Sequence, residues 1–161
     1  MKYIDGGLLI TGASGHSARY FFEKLSAENY NKKIRCLVRK ESEVKHLKHY
    51  NLNLEFIDVD FNDVNRLKNS MIGYKTVLHI ASIKLSANVL KAGVKAGVDW
   101  FICVHTTGRF SKFKSASAEY VEIEDRLINE HSNLTILRPT LIYGSSRDMN
   151  FWKLIQFINS N

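Results

Sequence analysis

Six short apolar runs rich in β-branched residues punctuate the chain, at Leu8–Thr11, Ile34–Val38, Leu54–Asp58, Thr76–Ile80, Trp100–His105 and Leu134–Leu137. Between them the apolar residues fall at helical spacing: Ala18, Phe22 and Leu25, then Val64 and Leu67, then Leu90 and Val94, then Tyr120, Ile123 and Leu127. Strand-length runs alternating with one-sided helical stripes are the pattern of strand–helix–strand crossovers, which build parallel sheets. Such crossovers are right-handed. The economical topology is therefore an α/β, doubly wound parallel sheet of about six strands, order 3-2-1-4-5-6, with helices on both faces. Ligands of such sheets bind at the carboxyl ends of the strands.

The first run leads directly into Thr11-Gly12-Ala13-Ser14-Gly15-His16-Ser17-Ala18 and then a helical stripe. A strand, a glycine turn and a helix in immediate succession make a phosphate cradle. Gly12 allows the tight turn, Gly15 lets the backbone come close to a pyrophosphate, and Ala18 is small enough for helix to pack on strand. The free N–H groups and positive dipole end of the helix, around Ser14, His16 and Ser17, then face the anion. The competing reading is an ordinary turn that binds nothing.

At 161 residues with 45% hydrophobic content, the chain can bury a core and reads as a single domain over residues 1–161. No stretch approaches the roughly 18 to 20 uninterrupted apolar residues of a membrane span, and Met1-Lys2-Tyr3-Ile4-Asp5 does not open a signal peptide, so a cytoplasmic location is expected. Cys36 and Cys103 lie inside apolar runs without metal-ligand spacing, as reduced core thiols do. The net charge of +7 is scattered along the chain; it suits phosphorylated ligands, and no nucleic-acid-binding motif accompanies it.

The segment from Gly108 to Ser117 lacks periodicity and reads as a loop leaving the fifth strand. Its Arg109, Lys112 and Lys114 either clamp a phosphorylated substrate or belong to a solvated connection. Phe151, Leu154, Ile155 and Ile158 form an apolar stripe at helical spacing, which either closes the sheet or meets another subunit or partner protein.

The order of these motifs resembles the extended and atypical short-chain dehydrogenase/reductases, especially the nucleoside-diphosphate-sugar epimerase-like and NmrA-like proteins, whose cofactor domain is a Rossmann fold. The resemblance runs through nearly the whole chain. It is carried by the glycine turn, Val38-Arg39-Lys40, Asp58-Val59-Asp60, Leu78-His79-Ile80-Ala81-Ser82, Val104-His105-Thr106-Thr107-Gly108 and Ile136-Leu137-Arg138-Pro139-Thr140-Leu141-Ile142-Tyr143-Gly144.

Arg39 and Lys40 after the second strand attract a 2′-phosphate, where a carboxylate would hold a ribose hydroxyl, so NADP is favoured over NAD. A solvated turn is the alternative for that pair. Asp60 either accepts from the adenine amino group or caps the helix that follows. The resemblance places His79, Ala81 and Ser82 beneath ribose and nicotinamide, although a histidine inside an apolar strand is usually a core residue. It also gives Thr106 or Thr107 the role of polarising a substrate oxygen, and puts Pro139, Thr140, Leu141 and Ile142 beside the nicotinamide ring.

The catalytic pair implied by the resemblance, a tyrosine with a lysine four residues on, is missing. Tyr120 is followed at that spacing by Glu124, whose charge opposes ionisation of a phenol. Counting back from Arg138-Pro139 puts Tyr120 at the lysine position and Ala116 at the tyrosine position, while Phe110 and Lys114 have the spacing but no hydroxyl. Thr106 and Tyr120 remain the candidate catalytic residues. The carboxyl-terminal substrate domain of the epimerase-like enzymes has no counterpart after Tyr143-Gly144.

Three readings follow. The first is an NAD(P)-binding oxidoreductase or epimerase using nicotinamide hydride transfer on a phosphorylated or nucleotide-sugar substrate. The second is a non-catalytic redox sensor or interaction module of the NmrA-like kind, and the third is the cofactor domain of a longer enzyme.

Overall fold

A computed structural model describes residues 7–140, 142–143 and 151–160. Six parallel strands, β1 (Leu8–Thr11), β2 (Ile34–Val38), β3 (Leu54–Asp58), β4 (Thr76–His79), β5 (Trp100–Val104) and β6 (Leu134–Leu137), form one sheet in the order β3-β2-β1-β4-β5-β6. Around it lie α1 (His16–Ala27), α2 (Val64–Met71), α3 (Ser86–Ala96), α4 (Lys114–Glu130) and α5 (Phe151–Asn159). The doubly wound order expected from the sequence is realised. Strands β4 and β5 end one residue earlier than their apolar runs, yet the Ile80 N–H still donates to the Thr11 carbonyl and the His105 N–H to that of Leu137.

Successive strand residues point to opposite faces, so each face receives its own core. Leu9, Leu37, Val77, Phe101 and Cys103 pack with Leu67, Met71, Leu90 and Leu127 of α2, α3 and α4. Leu8, Ile10, Ile34, Cys36 and Leu78 pack on the other side with Ala18 and Phe22 of α1. Burial on both faces is why the runs are continuously apolar and not alternating. It also pushes the thiols of Cys36 and Cys103 up to about 12, leaving both protonated and inert.

Two helical stripes differ from expectation. In α3 the buried side is Val89, Leu90, Ala92 and Gly93, while Val94 is 53% exposed. A Cβ on Gly93 would come within 2.5 Å of the Phe101 ring, so the close seating of α3 on β5, and not apolar bulk, decides that face. The segment expected as a loop from Gly108 to Ser117 is mostly regular: a 3-10 turn spans Thr107–Phe110 and α4 begins at Lys114. The inward side of α4 carries Ser117, Glu124 and Leu127, two of them polar, which is why hydrophobic periodicity does not reveal its start.

Asp63, not Asp60, caps α2: its side chain accepts from the N–H groups of Asn65 and Arg66 at 3.0 and 2.9 Å. The stripe ending the sequence does form a helix, α5, but none of its residues is buried among the described residues. None of its residues belongs to either core of the sheet. No helix among the described residues is long and apolar enough to cross a membrane.

Candidate functional site

Strand β1 delivers the chain into the glycine turn beside the exit of β4. Gly12 has φ +78, and a Cβ there would lie 2.6 Å from the Ala81 nitrogen, so both backbone conformation and close approach demand glycine. The Gly15 N–H closes the turn onto the Gly12 carbonyl at 3.0 Å. A Cβ on Gly15 would meet only that carbonyl oxygen, at 3.1 Å, which leaves the mouth of the turn open.

Helix α1 starts at this mouth with no side chain capping it and no acidic residue in its first turn. Its leading N–H groups thus lack the partner that Asp63 provides for α2. Both ring nitrogens of His16 are buried without a hydrogen bond, and the ring lies edge-on to Tyr20. An unsatisfied donor array with an unsatisfied imidazole beside it suits an oxyanion.

A cleft of about 310 Å³ runs from Gly12, Ser14 and Gly15 past Ala81 and Ser82 to Arg39 and Ser42. It continues into a hollow of about 470 Å³ lined by Arg39, Lys40, Asp58, Asp60, Phe61 and Arg66. Asp60 is held there by accepting from the Asn62 N–H at 2.9 Å. Arg39 carries a solvent-exposed ion pair with Glu41 at 3.4 Å, and the Arg66 guanidinium donates to the Asp58 carbonyl at 3.0 Å. Arg66 was not among the sequence candidates; a lone arginine in a polar first helical turn gives no signal without the fold.

Residues 12–148 match the model of a family described as NAD(P)H-binding. The chain belongs to this family. Solved structures similar to it include Pen from Bacillus thuringiensis, at 18% identity and TM-score 0.79 over 100% of this chain and 58% of that one. Triphenylmethane reductase from Citrobacter sp. is 20% identical, with TM-score 0.72 over 95% of this chain and 54% of the reductase. The NADPH complex of an NADPH-dependent quinone oxidoreductase from Escherichia coli is 23% identical, with TM-score 0.69 over 81% and 48%. The chain spans about half the length of these structures. No curated protein matches its sequence.

In this NAD(P)H-binding fold the cleft gathers Gly12, Ser14, Gly15, Arg39, Lys40, Asp60, Ala81 and Ser82 from four separate segments. Ser17 instead lines an apolar groove behind the turn with Leu8, Phe21 and Leu78. Pro139 reaches the exit of β5, where its carbonyl accepts from the Thr107 N–H at 3.4 Å. Thr140 and Ile142 follow at the surface, and Leu141 lies outside the described residues. His79 is a core residue: it is fully buried and shares a 2.6 Å hydrogen bond with the Thr11 hydroxyl. Burial, with the nearby His105, pulls its imidazole down to about 4.

Thr106 and Tyr120 meet over Gly108. A Cβ there would touch Thr106 Cγ2 at 3.2 Å and Tyr120 Cδ2 at 3.6 Å. Thr106 Oγ1 accepts from the Gly108 N–H at 3.1 Å, which anchors the oxygen and leaves its O–H proton to donate. The side chain of Ala116 is outside the description.

Beneath this turn lies a cluster that sequence reasoning missed. Glu124 Oε1 accepts from the guanidiniums of Arg109 and Arg138, and Oε2 from His105 Nδ1 at 3.0 Å. The carboxylate fixes the proton on Nδ1, so the Ser86 hydroxyl donates to Nε2 across 3.1 Å. Hydroxyl, imidazole and carboxylate stand in the order of an acyl-transfer relay. Ser86 is fully buried, however, and two guanidiniums neutralise Glu124, so the row clamps the exits of β5 and β6 to α3 and α4.

Among the described residues no group of three or more His, Cys, Asp or Glu could hold a metal ion.

Proposed function

We propose that the chain binds NADPH and passes its hydride to a conjugated, planar acceptor of the quinone class. The observation carrying this reading is the uncapped start of α1, with the orphaned His16 nitrogens beside an open glycine turn. Main-chain N–H groups of Ser14 to Ser17 hold the diphosphate, and His16 completes its coordination. Asp60 accepts from the adenine amino group, and Arg39 with Lys40 and Arg66 surround the 2′-phosphate. Ala81 and Ser82 underlie the ribose, while Pro139, Thr140 and Ile142 flank the nicotinamide.

NADPH when bound supplies the hydride; the protein supplies orientation and hydrogen bonds to the acceptor oxygen, through Thr106 and Tyr120. The acceptor class is suggested by two fold neighbours, a quinone oxidoreductase and a triphenylmethane reductase, the latter also complexed with NADP(H). Exposed Phe110, at the end of the turn that Thr106 caps, offers flat apolar surface to such a molecule. The sequence-based alternatives of a phosphorylated or nucleotide-sugar substrate compete with this class.

The test is titration with NADPH and NADH followed by tryptophan fluorescence, then NADPH oxidation with 1,4-naphthoquinone and with sugar-nucleotide acceptors. Tight NADPH binding with quinone-dependent oxidation is expected. Binding without any turnover counts against a reductase acting alone and fits both the sensor reading and that of a cofactor domain of a longer enzyme; the apolar stripe of α5, none of it buried among the described residues, suits a partner surface in the former.

A further inference from the structure

Among the described residues, β5 and β6 are fully covered on one side of the sheet only. Along β5 the residues facing α3 and α4, Phe101 and Cys103, are 3% and 0% exposed. Ile102 and Val104, which point the other way, are only half-buried, and Leu137 of β6 is 49% exposed. An unbroken apolar run of this kind belongs to a strand buried on both faces. Together with Phe21 of α1, Leu78 and Ile80, these three residues line the apolar groove of about 360 Å³ behind the glycine turn. From β4 to β6 is two interstrand spacings, about 10 Å, which is the diameter of one helix.

Helix α5 is the only α-helix among the described residues with no buried residue. Its Phe151, Leu154, Phe157 and Ile158 are between 40% and 65% exposed, and no α5 residue lines the groove. A groove of helical width and an apolar helix thus stand apart in the single chain. We propose that α5 of one copy seats its stripe of Phe151, Leu154, Ile155 and Ile158 in the β4–β6 groove of a second copy, and that the first copy receives the second copy's α5 in return. The exchange is reciprocal, so a two-fold axis closes it and no further copy can add. With aromatic side chains burying roughly 150–250 Å² each, one helix in one groove covers on the order of 800 Å² counted over both surfaces. The pair covers on the order of 1,600 Å², the size of a specific, stable interface. Ile80 lines both the groove and the cofactor cleft, so the exchanged helix packs against the back of that cleft. The pairing does not depend on whether NADPH is oxidised.

Size-exclusion chromatography with light scattering on the full chain gives twice the chain mass. Leu154→Glu on the helix and Leu137→Glu in the groove each lose the dimer and run at one chain mass, with the circular dichroism of the folded protein. Ile72→Glu, which replaces an apolar residue 56% exposed at the end of α2, keeps the dimer. Under oxidation, a mixture of Leu154→Cys and Leu137→Cys chains yields a covalent dimer that neither variant forms alone, since the native Cys36 and Cys103 are buried. That cysteine pair decides the matter if Leu137→Glu fails to fold. A monomeric wild type overturns the proposal, and so does a dimer that survives both glutamate variants. A disulfide closed within single chains carrying both cysteines, without covalent dimer, shows that α5 fills its own groove and overturns it as well.

Discussion

The Glu124 carboxylate and the His105 imidazole meet at 3.0 Å with both side chains only 1% exposed. Burial pushes the Glu124 carboxyl up, but hydrogen bonds from Arg138, Arg109 and His105 outweigh it and hold the group below the ordinary glutamate range. Burial likewise lowers the His105 imidazole, against the opposing pull of Glu124. A neutral histidine and an ionised glutamate therefore coexist in the interior near neutral pH, as one row of donors and acceptors.

Glu124→Gln should cost about 3 kcal/mol, because it takes the counter-charge from the partly buried Arg138 and leaves Arg109 with the half-exposed Asp125 alone. Removing the exposed Lys24–Glu28 pair at 3.1 Å should cost below about 0.5 kcal/mol. Urea unfolding of Glu124→Gln and Glu28→Gln compares the two, and equal midpoints would refute the clamp.

Acid should destabilise the protein before ordinary carboxylates titrate. His79 takes up its proton near 4 in the folded chain, whereas an unfolded imidazole does so near 6.5. In that interval the unfolded state binds the extra proton, so stability is fully present above pH 6.5 and falls as pH drops toward 4, by about 3 kcal/mol for this group. Denaturant unfolding at pH 7 and pH 4.5 measures the loss, and His79→Gln should flatten it. An equally steep fall in the variant would show that His79 is not responsible.

Gly12→Ala and Gly15→Ala separate folding from binding. The first forces a side chain into φ +78 and against the Ala81 backbone at 2.6 Å, and should cost several kcal/mol, about 2 or more. The second meets only the Gly12 carbonyl oxygen at 3.1 Å and should keep nearly the wild-type melting temperature. It should weaken NADPH at least tenfold by filling the diphosphate approach. Calorimetric titration and thermal melts on both variants check the pair.

Arg39→Ala should discriminate between cofactors. A charge-assisted contact to the 2′-phosphate is worth about 1.5 to 3 kcal/mol, so NADPH affinity should fall roughly 10- to 100-fold while NADH affinity stays within about twofold. Equal losses for both nucleotides would place Arg39 elsewhere on the ligand.

The strand runs were legible because a sheet buried on both faces imposes an unbroken apolar signal on each strand. The glycine turn was legible because positive φ and close backbone approach exclude other residue types. Asp60 and Asp63 show where such signals stop: both precede the same helix, and only the path of the chain decides that Asp63 caps α2 while Asp60 faces the hollow.

Local pattern thus sufficed for the order of strands and helices and for the glycine turn between β1 and α1, since both arise from interactions between residues near in sequence. The polar clamp of Ser86, His105, Glu124, Arg109 and Arg138, and the pairing of Lys84 with Glu119 of α4, emerged only on folding. Their partners come from separate crossovers of the sheet, and polar contacts between distant segments leave no period in the chain. Hydrophobic spacing reports which side of a helix is dry; it is silent where the inward side carries hydroxyls and charges satisfied by one another.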